Sequence, residues 1–167
     1  MRITAFQLGR TPRTAITLIW LISSACAPNL SNSHRSLEDL IQAALDALER
    51  QDQEALWALL VTREEHQDLL WDQLPSRRAF TFDYVRSLNE RNSREGIESA
   101  LREFGGSRFS LVSVEFTEPT EDYEGFRLHL GARVTVKRAG NGVEGVLPIF
   151  DVILEYGGRW KLMNYEQ

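Results

Sequence analysis

Three side chains in the second half of the chain could do acid/base chemistry if the fold set them side by side: His129, Asp151 and Tyr165. Asp151 interrupts an otherwise aliphatic run, VLPIFDVILEY. A carboxylate buried in such a run has its pKa raised, which suits a general acid or base working near neutral pH. A polar row facing water, or a second copy of the chain, accounts for the same three residues without any reaction. In the first half, Trp57, Trp71, Phe82 and Tyr84 are candidates for lining a ligand pocket, with Phe80 beside them; ordinary core packing uses such residues equally well. His66 stands in the polar run Glu64-Glu65-His66-Gln67-Asp68 and reads as a solvated helix face, with no second histidine or cysteine at zinc-ligand spacing. There is no glycine-rich phosphate loop, nucleophile elbow or Cys-His pair. The residues call for no metal and no cofactor.

The one cysteine, Cys26, has a different context. Residues 1–25 carry Arg2, Arg10 and Arg13 and no acidic residue, then the apolar run Ala15-Ile16-Thr17-Leu18-Ile19-Trp20-Leu21-Ile22, then Ser23-Ser24-Ala25. A basic head, a short apolar middle and a small-residue exit make a secretory signal peptide, and the run is far short of the roughly 20 residues that span a bilayer. Cleavage by a general signal peptidase at the small residues would give a freely secreted domain. Ser23-Ser24-Ala25-Cys26 also resembles the lipobox of bacterial lipoproteins, although Ser23 stands where that family usually has an aliphatic residue. A lone cysteine excludes an internal disulfide, and an unpaired thiol is unusual in an exported protein. The resemblance implies export, acylation of Cys26 and anchoring at the membrane of the bacterial cell envelope. Residues 26–35, rich in Pro, Asn and Ser, are then a flexible tether.

Removal of residues 1–25 leaves a chain of single-domain size, able to bury about 70% of its unfolded surface without a disulfide or metal. The three arginines go with the cut, so the net charge becomes three units more negative than the −5 of the full chain. That excludes a nucleic-acid binder, which needs a basic footprint, and leaves the tether rather than the overall charge to hold the domain at a membrane.

The elements that must position these residues divide into a helical half and a strand half, the segregated pattern of an α+β fold. Leu37, Leu40, Ile41, Ala44, Leu45 and Leu48 recur at helical spacing behind a Ser36 cap; Asp52 opens a second helix, and Thr62 with Glu65 a third that Pro75 ends. Residues 79–91 fit a helix imperfectly, and Asn92 or Ser93 caps a last helix that Gly105-Gly106 ends. Four strands follow. The first, residues 108–117, slips its alternation between Leu111 and Val112, as at a bulge. Pairing apolar rows sets Lys137 opposite Val143, Leu130 opposite Phe150 and Leu128 opposite Val152. A three-residue final loop sets Tyr156 opposite Trp160 and Glu155 beside Lys161 as an ion pair, whereas a two-residue loop would put Lys161 on the apolar row. The chosen register aligns His129, Asp151 and Tyr165 on the outer sheet face.

This order of elements, with ALDALERQDQEALWALL near its start and FDVILEYGGRWKLMNYEQ at its end, resembles the nuclear transport factor two-like superfamily, also called SnoaL-like. The resemblance implies that residues 36–167 fold as a cone, with N-terminal helices packed on a curved antiparallel four-stranded sheet and a cavity at the wide end, in the cystatin-like manner. The superfamily includes ketosteroid isomerases, polyketide cyclases, dehydratases and non-catalytic ligand-binding domains. Asp83, Tyr84, Asp151 and Tyr165 have side chains an isomerase site would use, but no local motif places them there, and fold alone does not transfer activity. The expectation is a tethered, non-enzymatic binder of a small apolar ligand or an envelope protein, with a homodimer through the outer sheet face as a further option. The alternative is an isomerase- or cyclase-like enzyme using a buried Asp.

Overall fold

In the computed structural model, which describes residues 30–166, Leu40, Ile41, Ala44, Leu45 and Leu48 form the buried side of α1 (Leu37–Arg50). Ser36 caps it, its hydroxyl accepting the Asp39 N–H at 3.0 Å. α2 (Gln53–Ala58) starts at Asp52, whose carboxylate accepts the Ala55 N–H at 2.9 Å. α3 (Arg63–Glu65) is one turn behind a reciprocal Thr62–Glu65 capping box, and continues as a π-helical turn, His66–Leu70. Two 3₁₀ turns, Trp71–Gln73 and Pro75–Arg78, complete an irregular arm.

The break expected at Asn92 or Ser93 is absent: α4 runs unbroken from Phe82 to Phe104 behind a Thr81 cap. No proline interrupts this stretch, and Ser93 is buried with its hydroxyl accepting the Tyr165 N–H at 3.4 Å. Such a residue caps a helix only where the chain enters one, and tolerates the interior where another partner engages it.

The strands are β1 (Phe109–Phe116), β2 (Glu121–Asp122), β3 (Phe126–His129), β4 (Ala132–Arg138), β5 (Glu144–Leu147), β6 (Phe150–Tyr156) and β7 (Arg159–Tyr165). They form two antiparallel sheets, β1-β4-β5 and β2-β3-β6-β7, in place of the expected single four-stranded sheet. The architecture is α+β. The slip in β1 is a bulge: the register shifts between Leu111 and Ser113, leaving Val112 exposed. The strand expected over residues 126–137 divides at Gly131, whose φ of +62° is left-handed and where a Cβ would collide with the Thr117 hydroxyl. Its partner divides between β5 and β6 at Pro148-Ile149, so one long hairpin serves both sheets.

The registers differ from those expected. Lys137 pairs with Glu144, and Leu128 with Leu154. The last hairpin closes through a two-residue loop, Gly157-Gly158, both at positive φ, with Tyr156 opposite Arg159, Leu154 opposite Lys161 and Glu155 opposite Trp160. Lys161 therefore does enter the apolar row, where it is 0% exposed.

Helices α1, α2 and α4 and the two sheets enclose the main core, from Leu40 and Leu56 to Ile153 and Leu162. A second cluster, under the arm, holds Leu30, Val61, Leu70, Leu74, Phe126, Leu128 and Leu154. Each fully buried aliphatic side chain contributes about 1.5–3 kcal/mol. Residues 30–34, expected as tether, belong to the fold. Leu30 is buried, His34 exchanges two backbone hydrogen bonds of 3.0 Å with Trp160, and Arg159 donates to the Ser33 carbonyl at 2.7 Å. The strap pairs the Trp160 end of the outer edge of β7, and Leu59 and Val61 pair its Leu162, so these backbone groups are not left open.

Candidate functional site

The structure does not bring the three acid/base candidates together. Tyr165 is wholly buried in the main core, and its hydroxyl donates to the Leu56 carbonyl at 2.8 Å. Burial pushes that hydroxyl's pKa far up, so it stays protonated. Asp151 sits at an irregularity of β6, half-buried, with Oδ2 accepting from the Asn164 amide at 2.7 Å. His129 lies between the rings of Phe116 and Trp160, at 4.7 and 5.1 Å. Its Nε2 is 3.1 Å from Glu155 and its Nδ1 3.2 Å from Thr120. The expected row fails because the strand register and the β6 irregularity turn Tyr165 inward.

Of the four pocket candidates only Trp71 and Phe82 come together. Trp71 and Phe82 pack edge-on at 5.5 Å, each against His66. Trp57 is half-buried under the Arg94 guanidinium, 5.5 Å from its ring. Tyr84 is exposed and stacks on Phe80.

What the fold does gather is a set of buried charged and polar groups that the sequence reading distributed elsewhere. Lys161 Nζ donates to Glu65 Oε2 at 2.7 Å. The same carboxylate accepts the Thr62 N–H at 2.8 Å, and the Ser31 N–H and hydroxyl at 2.6 and 2.9 Å. Burial pushes Glu65 up, but the bonds from Lys161, Thr62 and Ser31 outweigh it and hold the carboxyl below its ordinary range. For Lys161 burial is the larger effect and lowers the ammonium, which Glu65 opposes and nearby Arg86 reinforces. Arg86 is itself buried, donating to the Val61 carbonyl at 3.0 Å and to Glu90 at 2.7 Å.

His66, expected on a solvated face, is 1% exposed, and neither ring nitrogen has a hydrogen-bond partner. The correction follows from the arm's packing: the π turn begins at His66, and Trp71 and Phe82 close over its ring. Burial, with Arg86 adding to it, pushes the imidazole down to about 4, so it is neutral near pH 7. Gly157-Gly158 is among the pairs that suit a two-residue hairpin turn, and that turn places Lys161 inward. What the sequence hid was Glu65, 96 residues earlier, as the counter-charge.

No family model matches the chain, and neither a curated protein nor a solved structure is similar to it. Function therefore rests on this chain's own chemistry. Glu65 and Lys161 are buried and engaged with each other, and the Glu65 carboxylate also with Thr62 and Ser31, an arrangement that ties elements together. Among the described residues no group of three or more His, Cys, Asp or Glu is placed to hold a metal. No described helix is long and apolar enough to cross a membrane, and Cys26 lies outside the described residues. On the surface, an apolar recess of about 160 Å³ opens beside β5, the free edge of the first sheet. Phe104, Phe109, Val136 and Leu147 line it together with Val143 and Val146, 60% and 40% exposed, and the polar Arg138, Asn141 and Glu144 also border it.

Proposed function

We propose that this chain is a cell-envelope lipoprotein, held at the membrane through acylated Cys26, whose SnoaL-like cone is a non-enzymatic binder of a small apolar ligand at the β5 recess. The bent hairpin shared by two sheets around α1 and α4 supports the cone. The anchor is supported by the basic head, short apolar run and Ser23-Ser24-Ala25-Cys26. The observation that carries binding is the recess, where apolar side chains, with Arg138, Asn141 and Glu144 among them, line a cavity whose valines Val143 and Val146 stay in water. Against the enzyme alternative, the Tyr165 hydroxyl and the Asp151 carboxylate are each engaged by a different protein group.

Intact mass and membrane partitioning of the bacterially expressed protein, beside Cys26→Ser, test the anchor. The wild type is expected in the membrane fraction as a chain starting at acylated Cys26, and the variant released or unprocessed. A soluble wild type starting at unmodified Cys26 rejects the anchor. For the ligand, titration of the soluble domain with an apolar naphthalene probe, followed by amide NMR, is expected to shift β5, Phe104 and Phe109. Val146→Asp should remove the shifts. Shifts centred on Asp151 and Asn164 would reject the recess.

A further inference from the structure

The arm that supplies Glu65 leads into two exposed aromatic residues. Phe80 and Tyr84 are 52% and 57% exposed, and their rings stack 5.3 Å apart at 23°. A Tyr ring, apolar on its faces and polar at its hydroxyl, settles at a membrane-water interface, and Phe serves on the apolar side of interfacial segments. The turn before them carries Arg77 and Arg78. The carboxylates beside this patch are answered from the protein: Asp83 pairs with Arg63, and Asp72 lies 3.3 Å from Arg77. Arg78 is exposed and has no ion pair among the described residues. The patch thus presents two rings and an uncompensated guanidinium on a domain that is otherwise acidic. More distant carboxylates are screened within about 8 Å at physiological salt.

Chain geometry brings this patch toward the anchor. Leu74, on which the Pro75–Arg78 turn is hung, is buried in the same cluster as Leu30. Only three residues separate Leu30 from Cys26, so the two Cα atoms are at most about 14 Å apart. The strap bonds of Ser31, Ser33 and His34 leave no slack after Leu30. A lipid on Cys26 would hold the domain with its Leu30 end at the bilayer.

We infer that Phe80, Tyr84 and Arg78 form a membrane-contact surface that rests among phospholipid headgroups when Cys26 is acylated, a conclusion that depends on the anchor proposed above. The occupant is the lipid surface: the short reach from Cys26 and the free guanidinium, which suits phosphate, both point to it. Tethering converts a weak headgroup contact into an intramolecular one, so it needs little affinity of its own.

Hydrogen exchange tests it on the acylated full-length protein in phosphatidylethanolamine–phosphatidylglycerol vesicles, with Cys26→Ser in solution as reference. Amides of residues 76–84 are expected to exchange about tenfold more slowly on the vesicles, with α1 unchanged. Phe80→Ser combined with Tyr84→Ser, and separately Arg78→Glu, should remove that protection while leaving α1 as in the parent. Acylated protein with no protection of residues 76–84 overturns the contact surface and spares the anchor. An unmodified Cys26, read by mass, overturns both. Protection seen in whole envelopes but not on pure lipid would assign the patch to a protein partner and overturn the inference.

Discussion

At His66 a polar ring is buried with nothing to bond. Leaving a buried donor and acceptor unpaired costs about 1–3 kcal/mol for each group, so the surrounding packing must over-determine this position. The consequence is acid sensitivity. The imidazole titrates at its ordinary 6.5 in the unfolded chain and at about 4 in the folded one. As pH falls, the unfolded state therefore takes up this proton first. Stability is full above about pH 6.5, declines from there to about 4, and then levels off for this group, a total of roughly 3 kcal/mol. Arg86 faces the ring and strengthens the effect; Glu65 responds only below the ordinary carboxylate value of 4.5, because its folded pKa is depressed. His34, partly buried and also depressed, acts in the same direction as His66. Denaturant unfolding of wild type and His66→Leu at pH 7 and pH 4.5 should show the variant losing much less stability on acidification. Equal losses would show that His66 does not carry the acid response.

Among elements, the Glu65–Lys161 pair is the junction. It joins the capping box of α3, the inner face of β7 and the strap at Ser31, three segments far apart in the chain. A buried ion pair adds little net stability when both partners are present, but removing one leaves a charge that cannot be solvated. Lys161→Met and Glu65→Gln are each expected to cost about 3–5 kcal/mol, and the double variant to cost less than the two losses together. Equilibrium unfolding of the four proteins of this cycle measures the coupling; additive losses would mean that the two groups act independently. The helix starts at Ser36, Asp52 and Thr62 and the β1 bulge were legible from local pattern, because a cap or a slipped alternation acts within a few residues. The long α4 and the final hairpin were not. Ser93 is engaged by Tyr165, and Lys161 is tolerated by Glu65, so both outcomes depend on residues remote in the sequence.

For the whole molecule, the sequence alone determined the α+β division, the negative charge and the signal-like context of Cys26, since composition and hydrophobic period do not depend on who packs against whom. Tertiary structure decided that the strand pairs bend into two sheets, that residues 30–34 are a strap, and that Tyr165 and Asp151 have separate partners. It also decided that His66 and Lys161 lie inside while Phe80 and Tyr84 stay outside, the reverse of what polarity suggests. For Lys161, Tyr165, Asp151 and the strap the physical reason is the same, whereas His66 is held inside by the rings of Trp71 and Phe82. Burying a charge, or opening a sheet edge, is settled by whether a partner group arrives from elsewhere in the chain, and only the folded chain brings that partner within hydrogen-bond distance.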